Sequence, residues 1–282
     1  AKTIKVIVPF PAGGPADTIG GVFAEKLSQD IKQPVVIENR AGAGGITGIA
    51  LVSKADADGY TLGIATSGTL AMNVVLQSKM PYDPLKDLTL VTQAASVAEL
   101  LVVGPQVPAK SMAELVALAK AQPGKINFAS TGLGSMPHMA AELFKITAGI
   151  DIVHVPYTGA APAVNDMLGG HVQMLFADVP VLLGSVQSGK LRALAVGSTK
   201  RVAVLPDVPT TAQAGMPQVE ADNWYGIVAP AAMPPAIAAK LTAAVISAVK
   251  SAEVTDKLAK QGVVTVGSST AQFTAYVKGE ID

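Results

Sequence analysis

The chain has 282 residues, 50% of them hydrophobic, with 21 basic and 21 acidic side chains. That furnishes one large domain or two smaller ones with full cores and excludes a disordered chain. Only three of the basic residues are arginine (Arg40, Arg192, Arg201), aromatics make up 4%, and no run of like charge occurs, so nucleic-acid binding has no support.

Cysteine is absent and the three histidines, His138, His154 and His171, lack metal-ligand spacing. Disulfides, thiolate metal sites and cysteine nucleophiles are thereby excluded, and neither a metal nor a cofactor is expected. No stretch is long and apolar enough to cross a bilayer. The opening Ala1-Lys2-Thr3-Ile4-Lys5 runs almost at once into a strand, which reads as a start trimmed by removal of a secretory signal.

The first element is the apolar run Val6-Ile7-Val8, ended by Pro9 and followed by Phe10-Pro11-Ala12-Gly13-Gly14-Pro15-Ala16-Asp17. Strand, loop and helix are expected in that order, with Pro15 in the first helical turn and Asp17 or Thr18 as a side-chain cap. A helix N-terminus carries N–H groups without partners, so this loop can cradle an anion without a lysine; an ordinary tight turn is the other reading. Neither the P-loop nor the dinucleotide spacing is present. Ile19, Val22, Phe23 and Leu27 recur at helical spacing and Val35 to Ile37 forms the next strand, which completes a βαβ unit. The glycine-rich turn Glu38 to Gly45 leads into a helix from Ile46 to Lys54. A strand from Tyr60 to Ala65 then delivers Thr66-Ser67-Gly68-Thr69.

Two strands follow, Leu90 to Gln93 and Leu100 to Gly104, before Ser111 caps a helix from Met112 to Ala121. The opening design then repeats: strand Ile126 to Ala129, loop Ser130-Thr131-Gly132-Leu133-Gly134-Ser135, an early Pro137, and helix Met139 to Ala148. Ile152 to Val155, helix Ala161 to Leu168, strand Val172 to Phe176 ending at Asp178, and strand Leu191 to Val196 continue the α/β alternation. Trp224 to Pro230 is a late strand. Helices Pro235 to Ser251, Val254 to Lys260 and Ala271 to Gly279 close the chain. A strand restart after a complete α/β set predicts a return to the first domain, with crossovers near Leu100 to Pro105 and Asn223 to Pro230. The expected lobes are 1–101 with 227–282, and 102–226.

The ordered motifs Pro9 to Asp17, Glu38 to Gly45, Asp58-Gly59-Tyr60-Thr61-Leu62, Pro81-Tyr82-Asp83-Pro84, Gly132 to His138, Val155-Pro156-Tyr157 and Gly189 to Val196 resemble, end to end, the Bug family. These are the TctC-like substrate-binding receptors of tripartite tricarboxylate transporters. The resemblance implies a two-lobed type II periplasmic binding protein (Venus flytrap), α/β with two crossover hinge segments. It implies a periplasmic monomer that closes on a small carboxylate between its lobes and delivers it to the transporter's membrane subunits. The ligand would be a dicarboxylate, an acidic amino acid or an aromatic acid such as nicotinate.

Carried onto this chain, the carboxylate is held through backbone groups and waters by Phe10, Pro11, Ala12, Gly13 and Gly14 and by Ser130, Thr131, Gly132, Gly134 and Ser135. Thr66, Ser67 and Thr69 add hydroxyls, and Tyr157 and Asp178 read the far end. Family members commonly have Tyr-Lys-Gly where this chain has Tyr157-Thr158-Gly159, and Phe-Asp-Asn where it has Phe176-Ala177-Asp178, which displaces the acid by one position. Gly20-Gly21 replaces a common Ala-Arg and is expected at the surface.

Plainer roles are open for several of these residues. Ser130, Thr131 and Ser135 can cap the following helix, Tyr157 can pack in a core, Asp178 can bond backbone amides at a strand end, and Trp224 and Tyr225 can pack at the hinge. Asn39 and Arg40 would tie the glycine turn to its neighbours. Ser135 and His138 are spaced for a shared packing or capping job rather than for catalysis. The rival function is an enzyme on the same two-lobe fold. It would need a nucleophile with a base, a metal, or a Schiff-base lysine, and none stands near the loops.

Overall fold

The computed structural model describes residues 2–282. The chain divides into two compact units, each crossed more than once by the backbone. Residues as far as Ser96, Trp224–Lys260 and Val264–Asp282 make the first, and Val97–Asn223 with Gln261–Val263 make the second.

In the first unit, β1 (Ile4–Val8) pairs in parallel with β2 (Val35–Asn39) and with β3 (Thr61–Thr66). Helix α1 (Pro15–Ile31) joins β1 to β2. It buries Ile19, Phe23, Ala24 and Leu27, the three-to-four-residue spacing that sequence periodicity predicts. Gly20 is buried as well, because a side chain there would press on Ile64 and Val8 at 3.2 and 3.3 Å. The expected surface change therefore holds for Gly21 and not for Gly20. Helix α2 (Ile46–Ser53) leads to β3, and a π-helical turn (Gly68–Met72) runs into the short α3 (Asn73–Leu76).

The two strands expected around Leu90 and Leu100 are one, β4 (Leu88–Val103). Residues 94–99 hold neither glycine nor proline to force a turn, so the extended backbone continues into the second unit. Helix α4 (Met112–Ala121) starts at Ser111, whose hydroxyl accepts the Glu114 N–H at 3.2 Å. Strand β5 (Asn127–Ser130), helix α5 (Met136–Ala148), strand β6 (Val153–Pro156), helix α6 (Ala160–Leu168) and strand β7 (Met174–Asp178) follow. Helix α7 (Val179–Gln187) was not anticipated: its apolar Val179-Pro180-Val181-Leu182-Leu183 run resembles a strand until Pro180 is placed in a first helical turn.

Strand β8 (Arg192–Val196) lies antiparallel to β4 on one side and β7 lies antiparallel to it on the other, with β5 and β6 added in parallel beyond β7. Alternation sorts this sheet's side chains: Ala98, Leu100, Val102, Leu175 and Ala177 fill one core, and Leu101, Val103, Met174 and Phe176 fill the other.

The chain re-enters the first unit along β9 (Asp222–Pro230), antiparallel to β3. Helices α8 (Pro235–Val249), α9 (Ala252–Ala259) and α10 (Thr270–Ile281) complete it, with strand β10 (Val263–Thr265) leading back into it from the second unit. Trp224 packs edge-on against Phe273 and Tyr276, each with ring centroids 5.6 Å apart, and its Nε1–H donates to Glu280 at 3.2 Å. Gly226 makes room for this: a β-carbon there would lie 2.2 Å from Phe273. Gly226→Ala should cost about 1–3 kcal/mol by overpacking. Gly21→Ala, inside α1 with nothing within 4 Å, should stabilise by about 0.5–1 kcal/mol. Urea unfolding of the two variants should move the midpoint in opposite directions.

Candidate functional site

The opening loop leaves β1 at Val8 and enters α1 at Gly14, the helix N-cap residue. Gly13 has φ +83°, a left-handed angle that costs glycine nothing. Its N–H donates to Asp17 Oδ2 at 2.9 Å, while Asn39 Nδ2 donates to Asp17 Oδ1 at 2.8 Å and to the Phe10 carbonyl at 3.1 Å. The expected cap by Asp17 or Thr18 is thus corrected. No side chain caps α1, and Asp17, inside its first turn, reaches back to hold the loop. Gly13 contributes shape rather than a donor, and Ala16 and Asp17, in the first turn of α1, have no carbonyl four residues back within the helix to bond their N–H groups.

The second glycine turn supports the first. Residues Ala43–Gly45 form a 3-10 turn against the loop, and side chains added at Gly45 or Gly48 would collide with Thr69 and Phe10 or with Pro9 at 2.7–3.1 Å. Arg40 N–H bonds the Val8 carbonyl at 2.8 Å, so Asn39 and Arg40 both tie β2 to the loop.

Beyond β3, the Thr69 hydroxyl accepts the Thr66 N–H at 2.9 Å and donates to the Thr66 carbonyl at 3.0 Å. Thr66, Ser67 and Thr69 are all buried. The Tyr82 hydroxyl donates to the Thr69 carbonyl at 2.7 Å, and burial pushes that phenol's pKa up.

In the second unit, the loop Ser130 to Ser135 leaves β5 and opens α5. Gly132 (φ +126°) and Gly134 (φ +69°) take positive angles. Ser130 Oγ accepts the Gly132 N–H at 3.2 Å and is hydrogen-bonded to His154 Nε2 at 2.6 Å. Ser135 is the N-cap residue of α5, but its hydroxyl donates to the Gly132 carbonyl at 2.7 Å instead of capping the helix. Gly134 N–H donates to His138 Nδ1 at 3.2 Å.

His138 and His154 stack at 4.2 Å, and His154 stacks on Phe128 at 4.9 Å. The pair braces the loop from beneath, one ring to Gly134 and the other to Ser130. Burial, then the charges of His138 and Lys145, hold His154 down to about 4, and burial also lowers His138. Ser135 and His138 both serve the loop, through separate bonds.

Tyr157 donates its N–H to the Ser130 carbonyl at 3.0 Å and its hydroxyl to Asp166 Oδ2 at 2.7 Å. Asp178 ends β7 and accepts from Asn223 Nδ2 at 3.1 Å. β7 runs from Met174, not Val172, which places Asp178 within the strand. The sequence reading did not single out His154, Asn223 or Glu99 for a role at the site. Glu99 had a visible signal, a lone carboxyl inside the apolar run Val97 to Val103. His154 and Asn223 had none, because their partners are 24 and 45 residues away.

The histidine pair sets a pH dependence. Both rings bind protons less readily folded than unfolded, so stability is present above about pH 6.5 and is lost as pH falls toward 4. The melting temperature of the second unit should drop across that window. A His138→Gln/His154→Gln variant should show a flatter profile, and ring NMR should titrate His154 near 4.

Three comparisons bear on identity. The family model described as tripartite tricarboxylate transporter family receptor matches residues 19–282. Protein BugT of Bordetella pertussis is 39% identical over 282 residues, covering 100% of this chain and 86% of its own length. Among solved structures, Rpa4515 of R. palustris with adipate superimposes with TM-score 0.95 at 35% identity, covering 99% of this chain and 93% of that one. MatC from Rhodopseudomonas palustris with bound malate superimposes with TM-score 0.94 at 31% identity, covering 99% and 96%. The periplasmic binding protein BugD superimposes with TM-score 0.95 at 28% identity, covering 99% and 94%, and the fold is that of the periplasmic binding proteins of this type. With the match running through both units, the chain belongs to the tripartite tricarboxylate transporter receptors, a family of Bug-type binding proteins rather than of enzymes.

Proposed function

We propose that this protein is a periplasmic receptor that captures a small carboxylate and delivers it to the membrane subunits of a tripartite tricarboxylate-type transporter. The observation that carries the reading is the duplicated loop: each unit has a strand that ends in a positive-φ glycine turn and opens a helix with an early proline. Helix N-termini attract anions through unbonded N–H groups and the helix dipole, and ordered waters can complete the contacts without arginine. The adipate and malate held by two relatives support a carboxylate as the ligand.

In this reading Phe10, Pro11, Ala12, Gly13 and Gly14 form one jaw, and Ser130, Thr131, Gly132, Gly134 and Ser135 form the other. Thr66, Ser67 and Thr69 back the first jaw, and Tyr157 and Asp178 face the ligand's far end. The receptor acts as a monomer whose lobes, 1–101 with 227–282 and 102–226, close by rotation about the crossover strands β4 and β9.

Titration calorimetry against mono- and dicarboxylates, acidic amino acids and nicotinate should find at least one ligand with Kd below about 0.1 mM; no binding stronger than about 1 mM across the panel rejects the reading. Gly14 provides the matching variant. Its backbone is extended (φ −88°) and an added β-carbon would meet only the Pro11 carbonyl, at 3.7 Å. Gly14→Ala should therefore keep the native melting temperature while weakening binding by about 10-fold or more, which equals roughly 1.4 kcal/mol.

A further inference from the structure

Glu99 lies on β4 directly opposite Asp178 on β7. Alternation puts both on the face that carries Leu101, Val103, Met174 and Phe176, the face covered by α5. The parallel pairing of β5 with β7 carries Ser130 and Asp178 to the same, C-terminal end of those strands, the end at which open α/β sheets bind ligands. Glu99 thus stands at the same end of the sheet as the glycine loop of its own unit, with β7 between them.

Its condition there is unusual. The side chain has no solvent exposure, and its carboxyl faces the Asp178 carboxyl rather than a cation. A polar group buried in that way is costly, and for a carboxylate the cost is larger. Backbone bonds fix its place: Glu99 N–H donates to the Ala221 carbonyl at 3.1 Å, and its own carbonyl accepts the Gly197 N–H at 2.8 Å. No salt bridge among the described residues reaches Glu99. Arg192, in the same unit, is committed to the Val107 and Ala109 carbonyls at 3.0 Å. Asn223 orients the Asp178 carboxyl from the other side. The result is a converging set of carboxyl acceptors in an apolar wall, and its chemical complement is a compact cation with several N–H donors.

We propose that Glu99, together with Asp178 held by Asn223, is the subsite for an ammonium group, so that the ligand is a small carboxylate that also carries an amine. This rests on the carboxylate-receptor reading and narrows it. Without a cation beside it, Glu99 keeps its proton well above the usual carboxylate range, through burial first, then Asp178, then Asp222. The charged groups acting on it are Asp178 from β7 and Asp222 from β9, the latter raised to about 6 by burial and then by Glu220. An arriving ammonium displaces the Glu99 proton to solvent. Binding therefore releases a proton, and affinity rises with pH.

The test is calorimetry on matched pairs: L-aspartate against succinate, L-glutamate against glutarate, and 4-aminobutyrate against butyrate, each in two buffers of different ionisation enthalpy. The expected result is that at least one amine-bearing acid binds 10-fold or more tighter than its partner, with proton release. Glu99→Gln should lose both the preference and the proton release. Asp178→Asn, which keeps the Asn223 contact, should reduce the preference, and it stands in for Glu99→Gln if that variant does not fold. The inference is overturned if amine-free acids bind as tightly as or tighter than their partners, or if a folded variant keeps the native preference; either result leaves the carboxylate receptor standing. No binding of any acid in the panel overturns both.

Discussion

A glycine-rich loop has few side chains of its own to fix its shape, and in this protein polar side chains take over the holding. In the first unit Asp17 and Asn39 bond Gly13 N–H and the Phe10 carbonyl. In the second, Ser130, Ser135, His138 and His154 do the same for Gly132 and Gly134. Glycine supplies the positive φ angles and the close approaches, and polar side chains from neighbouring elements remove the freedom that glycine would otherwise keep. Loops built in this way are held to one shape by bonds from outside themselves.

The two loops reach the same end by different chemistry. The first is braced by the side chains of Asp17 and Asn39. The second is braced by two stacked imidazoles that must stay neutral, because His138 accepts from Gly134 through Nδ1 and the rings lie 4.2 Å apart. Acid therefore loosens the second loop. Glu99 pulls the other way: a carboxyl held protonated by burial is stabilised as pH falls, so the pH response of the second unit is the sum of opposing contributions.

Small residues do structural work around these loops that their chemistry alone does not suggest. Gly45 and Gly48 let the Ala43–Gly45 turn and α2 press on Pro9 and Phe10, and Gly226 admits the ring of Phe273 beneath Trp224. The glycine-rich Glu38 to Gly45 segment is thus a support for the opening loop, with Asn39 as its polar link.

Much of this was legible in the amino-acid order. The βαβ start, the two loop-to-helix junctions, the Ser111 cap and the return of the chain at Trp224 are local patterns of periodicity, proline and glycine, and local patterns are what sequence carries. The family resemblance was legible for the same reason, through motifs short enough to be read whole. Tertiary structure alone decided what those residues touch. It decided that Asp17 turns back to Gly13 instead of capping α1, that Leu88–Val103 is one strand running through both units, and that Gly20 is buried. It brought His154 to Ser130 and Asn223 to Asp178 from 24 and 45 positions away, and set Glu99 across the sheet from Asp178. Such partners depend on strand register and packing between distant segments, and nothing in the adjacent residues encodes them.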